Sequence, residues 1–551
     1  MGEEGTELLK PTTANAAGGG RGPPRGPTGG PPGGGFRGPP GGYAGRRGGP
    51  DLTSGPIGKT LILFSLPVLG SNILQSLNGS ANMFWVSHVL GEAGVTATNN
   101  SNQIFFMMLG AAFGVTMAAN ILIGQAIGAE DEPLARRVVG TSTTFFLAIS
   151  ILIGVLGGVL TPHILDAMKT PADARADAIA YLRVIFGAIP FFFFFSFMMM
   201  AQRGTGDSRT PFYFALVQVG LDVVMNPLLL MGLGPFPKMG IAGSATSTLI
   251  AQTITLAAML VYLYRKNSIL VLKPSDWRLL VPDLQIIWTL IAKGTPMGIQ
   301  MMVISLAAVT MLSFVNRYGV HTSAAYGAGA QFWTYVQMPA MALGAGCSSM
   351  AAQNVGARRM DRVERVARIG SLLAVLFTGV PVLILELADP YALQAFLPAS
   401  SPALPIATHI NTIVLWGFIP FGVAFIFSGI VRATGAVWPP LLAMIISLWV
   451  VRIPVAVLLE PRLHADAIWL AFPIGSLTTL VLSGLYYFYD GPFGWRRARM
   501  LDFTPSSDAP DTGLGQPMIE ESEAIVSAEE RDASRSSPQA PRMPVSEAPA
   551  E

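Results

Sequence analysis

The segment LDVVMNP, residues 221–227, carries the residue types best suited to ion chemistry in this chain. It lies inside an apolar stretch, 210–233, and Asp222 is the one acid that we place deep inside a hydrophobic segment. Asn226 follows four residues later, so on a helix the two side chains share a face. An aspartate near the centre of a bilayer costs roughly 3 kcal/mol and is usually kept for an ion, a proton or a polar partner. A hydrogen bond that packs two helices together is the alternative interpretation.

The composition predicts a polytopic membrane protein. Of the 551 residues, 51% are hydrophobic and only 12% are charged, a balance that favours membrane-spanning helices over a soluble core. Cys347 is the only cysteine, which excludes an intrachain disulfide. The five histidines are far apart and have no second ligand at metal-binding spacing, so we expect no structural metal site.

Twelve apolar segments follow one another, and each is long enough to cross about 30 Å of hydrocarbon as a helix. We therefore predict an all-α fold of twelve transmembrane helices, at residues 60–89, 97–124, 138–162, 178–202, 210–233, 241–264, 285–314, 322–350, 367–388, 407–431, 437–460 and 466–489.

The parts of the chain outside these segments predict its orientation. Lys and Arg concentrate in every second loop, for example at Arg358 and Arg359, and the positive-inside rule places those loops and both termini in the cytoplasm. Residues 1–55 are rich in Gly, Pro and Arg, and residues 496–551 are rich in acids, Pro and Ser, so we predict disordered cytoplasmic tails there. The Arg-Gly clusters suit nucleic acid or anionic lipid, but a solvated tail is favoured and we expect no nucleic-acid partner.

The two halves of the chain resemble each other at an offset of about 229 residues. GQAIGA at 124–129 corresponds to AQNVGA at 352–357, and RGTGDSRTP at 203–211 corresponds to RATGAVWPP at 432–440. Six segments in each half make the halves parallel repeats with a cleft between them, which is typical of transporters. We predict a six-helix lobe at 56–266, a linker at 267–284 and a second six-helix lobe at 285–495.

These repeats resemble those of the multidrug and toxic compound extrusion (MATE) transporters of the MOP flippase superfamily. Three further motifs carry the resemblance: GIAGSA before the sixth segment, YGVHTSAAYG before the eighth and RIPVAVLL in the eleventh. The resemblance covers residues 57–490. It implies a V-shaped pair of lobes that exports organic cations or amphiphilic drugs in exchange for H⁺ or Na⁺, by alternating access. We accordingly expect a monomer in the lipid bilayer of a bacterial inner membrane, with a small-molecule substrate, no enzymatic activity and no cofactor besides the coupling ion.

The chain departs from the family pattern at the ion-coupling site. The family usually has an aspartate in the first segment, where this chain has Asn82. In the fifth segment the family has Asn followed by Asp, whereas this chain has the reverse order, Asp222 followed by Asn226. Thr248 matches a family threonine that lies near these groups. Because the seventh and tenth segments contain no acid, we place cation coupling in the first lobe, at these four residues.

The four residues suit either coupling ion. Loss of water around a lone carboxyl group favours its neutral form, which suits proton exchange. A carboxylate accompanied by amide and hydroxyl oxygens suits Na⁺, which is a hard cation. A cationic drug would compete with the ion for the same negative charge, and this competition is the physical basis of antiport.

Five further residues are candidates for the wall of a substrate cavity: Gln218, Gln300, Gln337, Arg452 and Met301. Arg452 is the one base that we place deep inside a segment, near the repeat position of Asp222. It can carry a charge that moves between partners, cap helix carbonyls, or pair with Asp222 and so occupy the coupling site. Buried amides and methionines also serve ordinary helix packing.

Two other functions stay open at this point. A lipid-linked sugar flippase of the same superfamily would need a basic cavity for phosphate. The candidate cavity here has one acid, Asp222, and one base, Arg452, so an organic cation is a better fit than a phosphate group. A non-transporting membrane scaffold is compatible with the exchanged Asp and Asn, but the retained Asp222 argues against it. The chain has no GxxxxGK[ST] motif, which disfavours ATP-driven transport.

Overall fold

The computed structural model describes residues 49–167, 172–394, 397–398, 400–489, 491, 494–498 and 500. Helices account for nearly all of these residues, and no β-strand occurs among them. The helices are α1 (Ile57–Gly128), α2 (Glu132–Ala167), α3 (Ala172–Gly204), α4 (Arg209–Met231), α5 (Ile241–Arg265), α6 (Leu284–Asn316), α7 (Val320–Gly356), α8 (Met360–Leu393), α9 (Ala403–Val414), α10 (Phe418–Ala433), α11 (Trp438–Ile445), α12 (Ile453–Leu463) and α13 (Asp466–Phe488), with short 3-10 helices at Pro274–Leu280, Leu415–Gly417 and Trp495–Arg497.

The prediction of an all-α membrane fold is confirmed. Ten of the described helical segments are long and apolar enough to cross a bilayer, and all twelve predicted segments coincide with helices to within a few residues at their ends. The other two segments are the second part of α1, where Ala112–Gly128 is a shorter apolar helix, and α7, which is rich in Gly, Ser and amide residues.

Helix α1 differs from the prediction, because the first two predicted segments form one run of 72 helical residues. A straight helix of that length would separate its ends by about 108 Å. However, Ser65 and Gly128 both lie against the end of α7, beside Gly346 and Gln353 respectively. The run therefore turns back on itself, and its two arms correspond to the two predicted spans.

Two other predicted segments are interrupted helices. The tenth consists of α9 and α10, joined by the 3-10 turn Leu415–Gly417. In the eleventh, α11 continues through seven residues of π-helix, Ile446–Arg452, into α12. A π-helical segment is uncommon and frequently marks a functional site, and this one ends at Arg452.

The helices pack as two groups that meet along α1. In the N-terminal half α1 contacts α3 and α4, α2 contacts α3, and α4 contacts α5. In the C-terminal half α7 contacts α8 and α10, and α13 contacts α10 and α12. Helix α1 also contacts α6 and α7, so it forms the main interface between the halves.

The linker between the halves is attached to the N-terminal half. Its 3-10 helix, Pro274–Leu280, is held to α2 by the ion pair between Arg136 and Asp276. A second ion pair joins Arg137 of α2 to Asp283 at 2.7 Å. Asp283 also caps the N-terminus of α6 with its side chain. The start of the C-terminal half is therefore positioned directly by α2.

The repeat motifs GQAIGA and AQNVGA pack against each other where the halves meet, and we call this contact the seam. A Cβ atom added at Gly128 would overlap the backbone carbonyl of Gln353, and one added at Gly356 would overlap the carbonyl of Gln125. The contacts are reciprocal, because each glycine of one half meets the equivalent glutamine of the other. Glycine is therefore needed at both positions for the backbones to approach so closely.

Residues 49–56, which we call the strap, cross this seam before α1 begins. Leu52 is 1% exposed, its backbone N–H donates to Gln353 Oε1 at 3.2 Å, and its carbonyl accepts from Asn354 at 3.1 Å. Arg362 donates to the carbonyls of the next strap residues at 2.7 and 2.8 Å. Gly206 of the N-terminal half lies against the carbonyl of Pro50. Residues 49–55, predicted as part of a disordered tail, are therefore packed against both halves. Predicted tail residues 1–48 and 501–551 lie outside the described residues.

Candidate functional site

Helix α4 places Asp222 and Asn226 in the interior of the N-terminal half. Both side chains are completely buried, as expected for residues one turn apart on the same helix face. Gln218, one turn earlier, is buried as well. Val217 and Val224 on the opposite face are exposed. The helix therefore turns its polar side inward and its apolar side toward the bilayer.

The Asp222 carboxylate accepts hydrogen bonds from four neutral side chains. From α1, Asn78 donates at 2.9 Å and Asn82 at 3.5 Å. From α5, Ser247 donates at 2.6 Å and Thr248 at 3.1 Å. Hydrogen bonds to a charged group contribute about 1.5–3 kcal/mol each, so the four donors offset much of the cost of burying the carboxylate.

Asn226 extends this network and leaves acceptors without donors. Its amide nitrogen donates to Asn82 Oδ1 and, at 3.0 Å, to Ser244 Oγ. Two buried amide oxygens, Asn78 Oδ1 and Asn226 Oδ1, receive no hydrogen bond from the described residues. An unpaired buried acceptor costs roughly 1–3 kcal/mol. A cation or a further donor at this site would relieve that cost, so the arrangement fits an oxygen-coordinated ion.

No fixed cation neutralises Asp222 within the described part of the chain. The ion pairs among these residues all involve other acids. The pairing with Arg452 that the sequence left open is not formed in this structure. Among the described residues, hydrogen-bond donors alone balance the negative charge of Asp222.

Among the predicted cavity residues, Gln300 of α6 serves another buried group. Its side chain is 3% exposed, and its Oε1 accepts a hydrogen bond from Arg432 at 2.9 Å. The Arg432 guanidinium also lies 5.5 Å from the ring centroid of Phe425. Gln300 is therefore the hydrogen-bond partner of a buried arginine in the C-terminal half.

Met301 and Gln337 are half-buried residues of α6 and α7. Met301 lies at the interface with α1, since a Cβ added at Gly110 would be 3.4 Å from the Met301 Cβ. None of the hydrogen bonds around Asp222 reaches either residue. Met301 and Gln337 therefore lie outside the hydrogen-bond network of Asp222, whereas Gln218 shares the buried face of α4 with Asp222.

Arg452 lies at the end of the π-helical segment and is half-buried. Its guanidinium carbon is 4.8 Å from the centroid of the Phe472 ring. Gly475 allows it to approach α13 closely, because a Cβ there would be 3.2 Å from the Arg452 Cβ. The C-terminal half thus holds an arginine next to the repeat position at which the N-terminal half holds Asp222.

Comparison with known proteins decides the family. The MatE family model matches residues 67–228 and 296–458, one copy in each half and more than half of the chain. The chain belongs to the MATE family. The two matched copies begin at Pro67 and Pro296, the prolines inside α1 and α6, so the family model and the internal repeat agree in register.

Relatives of this MATE protein carry multidrug-resistance names. The probable multidrug resistance protein YoeA of Bacillus subtilis is 35% identical over 444 residues, which cover 80% of this chain and 95% of YoeA. The probable multidrug resistance protein YpnP of the same organism is 30% identical over 440 residues, which cover 80% of this chain and 96% of YpnP. The multidrug export protein MepA of Staphylococcus aureus is 22% identical over 69% of this chain and 82% of MepA.

Solved MATE structures share the fold. A crystal structure of MATE in complex with MaD3S has a TM-score of 0.73 at 19% identity, and covers 79% of this chain and 96% of that chain. A structure of a multidrug resistance MATE family transporter of the MOP superfamily in an outward-facing conformation has a TM-score of 0.72 with the same identity and coverage. This MATE protein is therefore a multi-pass membrane transporter of the multidrug efflux family and not an enzyme.

Three polar residues that contact Asp222 or Asn226 were not predicted: Asn78, Ser244 and Ser247. A signal for them was present in the spacing. Asn78 precedes Asn82 by four residues, which places both on one face of α1, and the two serines precede Thr248 by four residues and by one. Paired polar residues at helical spacing in an apolar segment therefore indicate a buried polar network.

Other buried charges also differ from the predictions. Arg203 and Arg432, predicted as loop residues, lie in the last turns of α3 and α10 and are only 8% and 7% exposed. Glu386 of α8 buries one carboxylate oxygen that has no hydrogen-bond partner among the described residues. Asp222 is therefore not the only acid with a buried oxygen, and Arg203 and Arg432 are more completely buried than Arg452. These other residues lie near the ends of apolar segments, where hydropathy alone does not distinguish burial from exposure.

Proposed function

We propose that this MATE protein is a secondary active antiporter that exports organic cations or amphiphilic drugs in exchange for H⁺ or Na⁺. The observation that carries the proposal is the buried Asp222 carboxylate, which is held by four neutral donors and paired with no fixed cation in the described chain. An acid embedded in a membrane protein in this way is typical of ion and proton pathways.

Either ion is compatible with the groups around Asp222. A proton would bind to the carboxylate itself. A sodium ion would take oxygen ligands, and the amide oxygens of Asn78 and Asn226 have no donors among the described residues. Either ion neutralises the charge that an organic cation also needs. Binding of the ion and of the substrate is therefore negatively coupled, and this coupling acts equally in both directions.

Alternating access requires the two halves to separate at one end and to close at the other. The seam is closed in this structure, and the strap across it is held by Arg359 and Arg362 of a basic region. The positive-inside rule assigns such regions to the cytoplasm. We accordingly propose that this conformation is closed to the cytoplasm, that both termini are cytoplasmic, and that the protein acts as a monomer in a bacterial inner membrane.

The test is efflux of ethidium from proteoliposomes that contain wild-type protein or Asp222→Asn at equal amounts. The substitution removes the charge and preserves the size of the side chain. We expect wild-type export driven by an H⁺ gradient or by a Na⁺ gradient, and export by Asp222→Asn at the background rate. The gradient that drives the wild type identifies the coupling ion. Asp166→Asn is the matched control, because Asp166 is an exposed acid paired with Arg175 at 2.8 Å, and it should export normally.

The alternative outcomes point to different conclusions. Export by Asp222→Asn at the wild-type rate would make Asp222 a structural residue and overturn the coupling mechanism. If the wild type exports no cation under either gradient, the antiport proposal fails. Transfer of a lipid-linked sugar by the same proteoliposomes would then identify a flippase, and its absence a non-transporting protein.

A further inference from the structure

The linker between the halves is fixed on two sides and bridges a gap in the N-terminal half. On the α2 side, the hydroxyl of Thr144 donates to the carbonyl of Leu280 at 2.8 Å. On the α5 side, the hydroxyl of Tyr264 donates to the carbonyl of Leu272 at 2.9 Å. The space under the linker is therefore built into the fold.

A cavity of about 380 Å³ occupies this space, between the linker and helices α2, α3 and α5. A volume of that size is in the range of ligand sites in proteins. Trp277 and Leu280 line the cavity and are exposed, so its apolar lining continues onto the outer surface of the protein. The other apolar side chains of the wall include Phe194, Met198, Leu260 and Leu272.

The outer surface next to this cavity has the composition of a membrane–water interface. Leu284 and Trp288, at the start of α6, are exposed like Trp277. Tryptophan is enriched where the ends of membrane-spanning helices meet the headgroup region of the bilayer. An apolar cavity at that level faces lipid, and the apolar group that the bilayer supplies is an acyl chain.

A polar depression adjoins the cavity and shares Tyr264, Val271 and Lys273 with it. Glu132 of α2 also lines the depression. Lys273 and Glu132 are both exposed, and neither belongs to an ion pair of the described residues. One positive and one negative group therefore stand apart at the rim of the same depression.

A headgroup with two separated charges of opposite sign complements this arrangement. Its phosphate would accept from the ammonium of Lys273, and its own ammonium would donate to the carboxylate of Glu132, both as charge-assisted hydrogen bonds. We propose that the cavity and the depression together bind a phospholipid whose headgroup joins a phosphate to a primary ammonium, as in phosphatidylethanolamine. One acyl chain of this lipid lies under the linker.

This lipid site is separate from the network around Asp222. It belongs to the connection between the halves, because the linker leads directly to Asp283, the residue that caps α6. Occupation of the site requires no coupling ion and no substrate.

Three lipids with identical acyl chains test the site: phosphatidylethanolamine, phosphatidylcholine and phosphatidylglycerol. All three carry the phosphate. The quaternary ammonium of phosphatidylcholine has no N–H group, and phosphatidylglycerol has no amine. Each lipid is titrated into delipidated full-length protein in detergent, and native mass spectrometry gives the apparent Kd of the first bound lipid.

The variants are Glu132→Gln and Lys273→Gln, which change exposed side chains. Asp361→Asn is the control for the acid, because Asp361 lies in the first turn of α8 as Glu132 lies in the first turn of α2. Lys238→Gln is the control for the base, because Lys238 is an exposed lysine between α4 and α5 that lines neither the cavity nor the depression. Size-exclusion elution identical to that of the wild type shows that each variant is folded.

We expect the wild type to bind phosphatidylethanolamine about tenfold more tightly than either other lipid, as one additional charge-assisted hydrogen bond predicts. Glu132→Gln should remove that preference by weakening phosphatidylethanolamine. Lys273→Gln should weaken all three lipids, because it removes the partner of the phosphate. Both control variants should bind as the wild type does.

Three results would overturn the lipid site. The first is equal affinity of the wild type for the three lipids, and the second is wild-type binding by both Glu132→Gln and Lys273→Gln. The third is displacement of the lipid by an equal concentration of soluble phosphoethanolamine, since it would show that the apolar cavity does not contribute to binding. Absence of ethidium export alongside the expected lipid preference refutes the antiport proposal alone.

Discussion

Gly128 and Gln353 are in contact across the seam, and the repeat-equivalent residues Gly356 and Gln125 make the same contact in reverse. Each glycine leaves room for the backbone carbonyl of a glutamine in the other half. This reciprocity explains why related motifs, GQAIGA and AQNVGA, occur in both halves. The backbone of each motif can approach the other only because the other motif has a glycine at the point of contact. The motif therefore marks the interface between the halves.

Gly128→Ala should open the seam. The new methyl group would overlap the carbonyl of Gln353, and overpacking of this kind costs typically 1–3 kcal/mol. We expect the equilibrium between closed and open seam to shift about 5- to 150-fold toward the open state. Spin labels at Glu132→Cys and Asp361→Cys report the distance across the seam by electron paramagnetic resonance, and Cys347 does not interfere because it is 0% exposed.

Gly187→Ala is the control for this prediction, because nothing lies within 4 Å of a Cβ at that position. It should keep the wild-type distance distribution. An unchanged distribution in Gly128→Ala would contradict the prediction, since it would mean that the backbones can adjust without separating.

Arg362→Gln should loosen the strap. Arg362 donates to the carbonyls of Ser54 and Gly55 at 2.7 and 2.8 Å, and hydrogen bonds from a charged group contribute about 1.5–3 kcal/mol. We expect backbone hydrogen exchange in residues 49–56 to become about tenfold faster or more. Arg365→Gln is the matched control, because Arg365 is exposed and paired with Asp361 at 3.9 Å. Equal exchange in the two variants would show that Arg362 does not hold the strap.

Ser247→Ala should destabilise the protein through Asp222. It removes the donor at 2.6 Å from one carboxylate oxygen, which leaves Thr248 at 3.3 Å as the remaining donor to that oxygen. We expect a loss of about 1.5–3 kcal/mol in the free energy of unfolding, seen as a lower midpoint of thermal unfolding in detergent. Thr246→Ala is the control, because its hydroxyl bonds the Ala242 carbonyl within α5. A similar midpoint for both variants would argue against a stabilising role for the Ser247 bond.

Gln300→Leu should destabilise the C-terminal half, because it leaves the Arg432 guanidinium without its acceptor at 2.9 Å. Leaving a buried charge unpaired costs about 3–5 kcal/mol, whereas replacing both partners by apolar residues is often neutral. We therefore expect the double variant Gln300→Leu with Arg432→Met to have a higher thermal midpoint than Gln300→Leu alone. Additive losses in the double variant would show that the two side chains act independently, and a substrate-binding role for Gln300 would regain support.

The sequence by itself determined the properties that depend on local pattern. Apolar segments of sufficient length predicted the twelve spans, because the bilayer accepts only backbone that is hydrogen-bonded within its own segment. The spacing of four residues placed Asp222 and Asn226 on one face, since helix geometry alone decides that relation. The order of the repeated motifs indicated the MATE family. By contrast, the sequence predicted two separate helices for the first two spans, whereas the structure has one continuous helical run, α1.

Only the tertiary structure decided which side chains meet. Asn78 binds Asp222 across 144 residues of sequence, and Leu52 binds Gln353 across 301. That Arg452 Nε has no hydrogen-bond partner among the described residues is visible only when the neighbours of the π-helical segment have been placed. The physical reason is that hydropathy fixes which segments are buried but hardly constrains how far each helix is rotated or displaced against the next. Contacts between helices depend on those rotations and displacements, and the packing of the whole chain sets them.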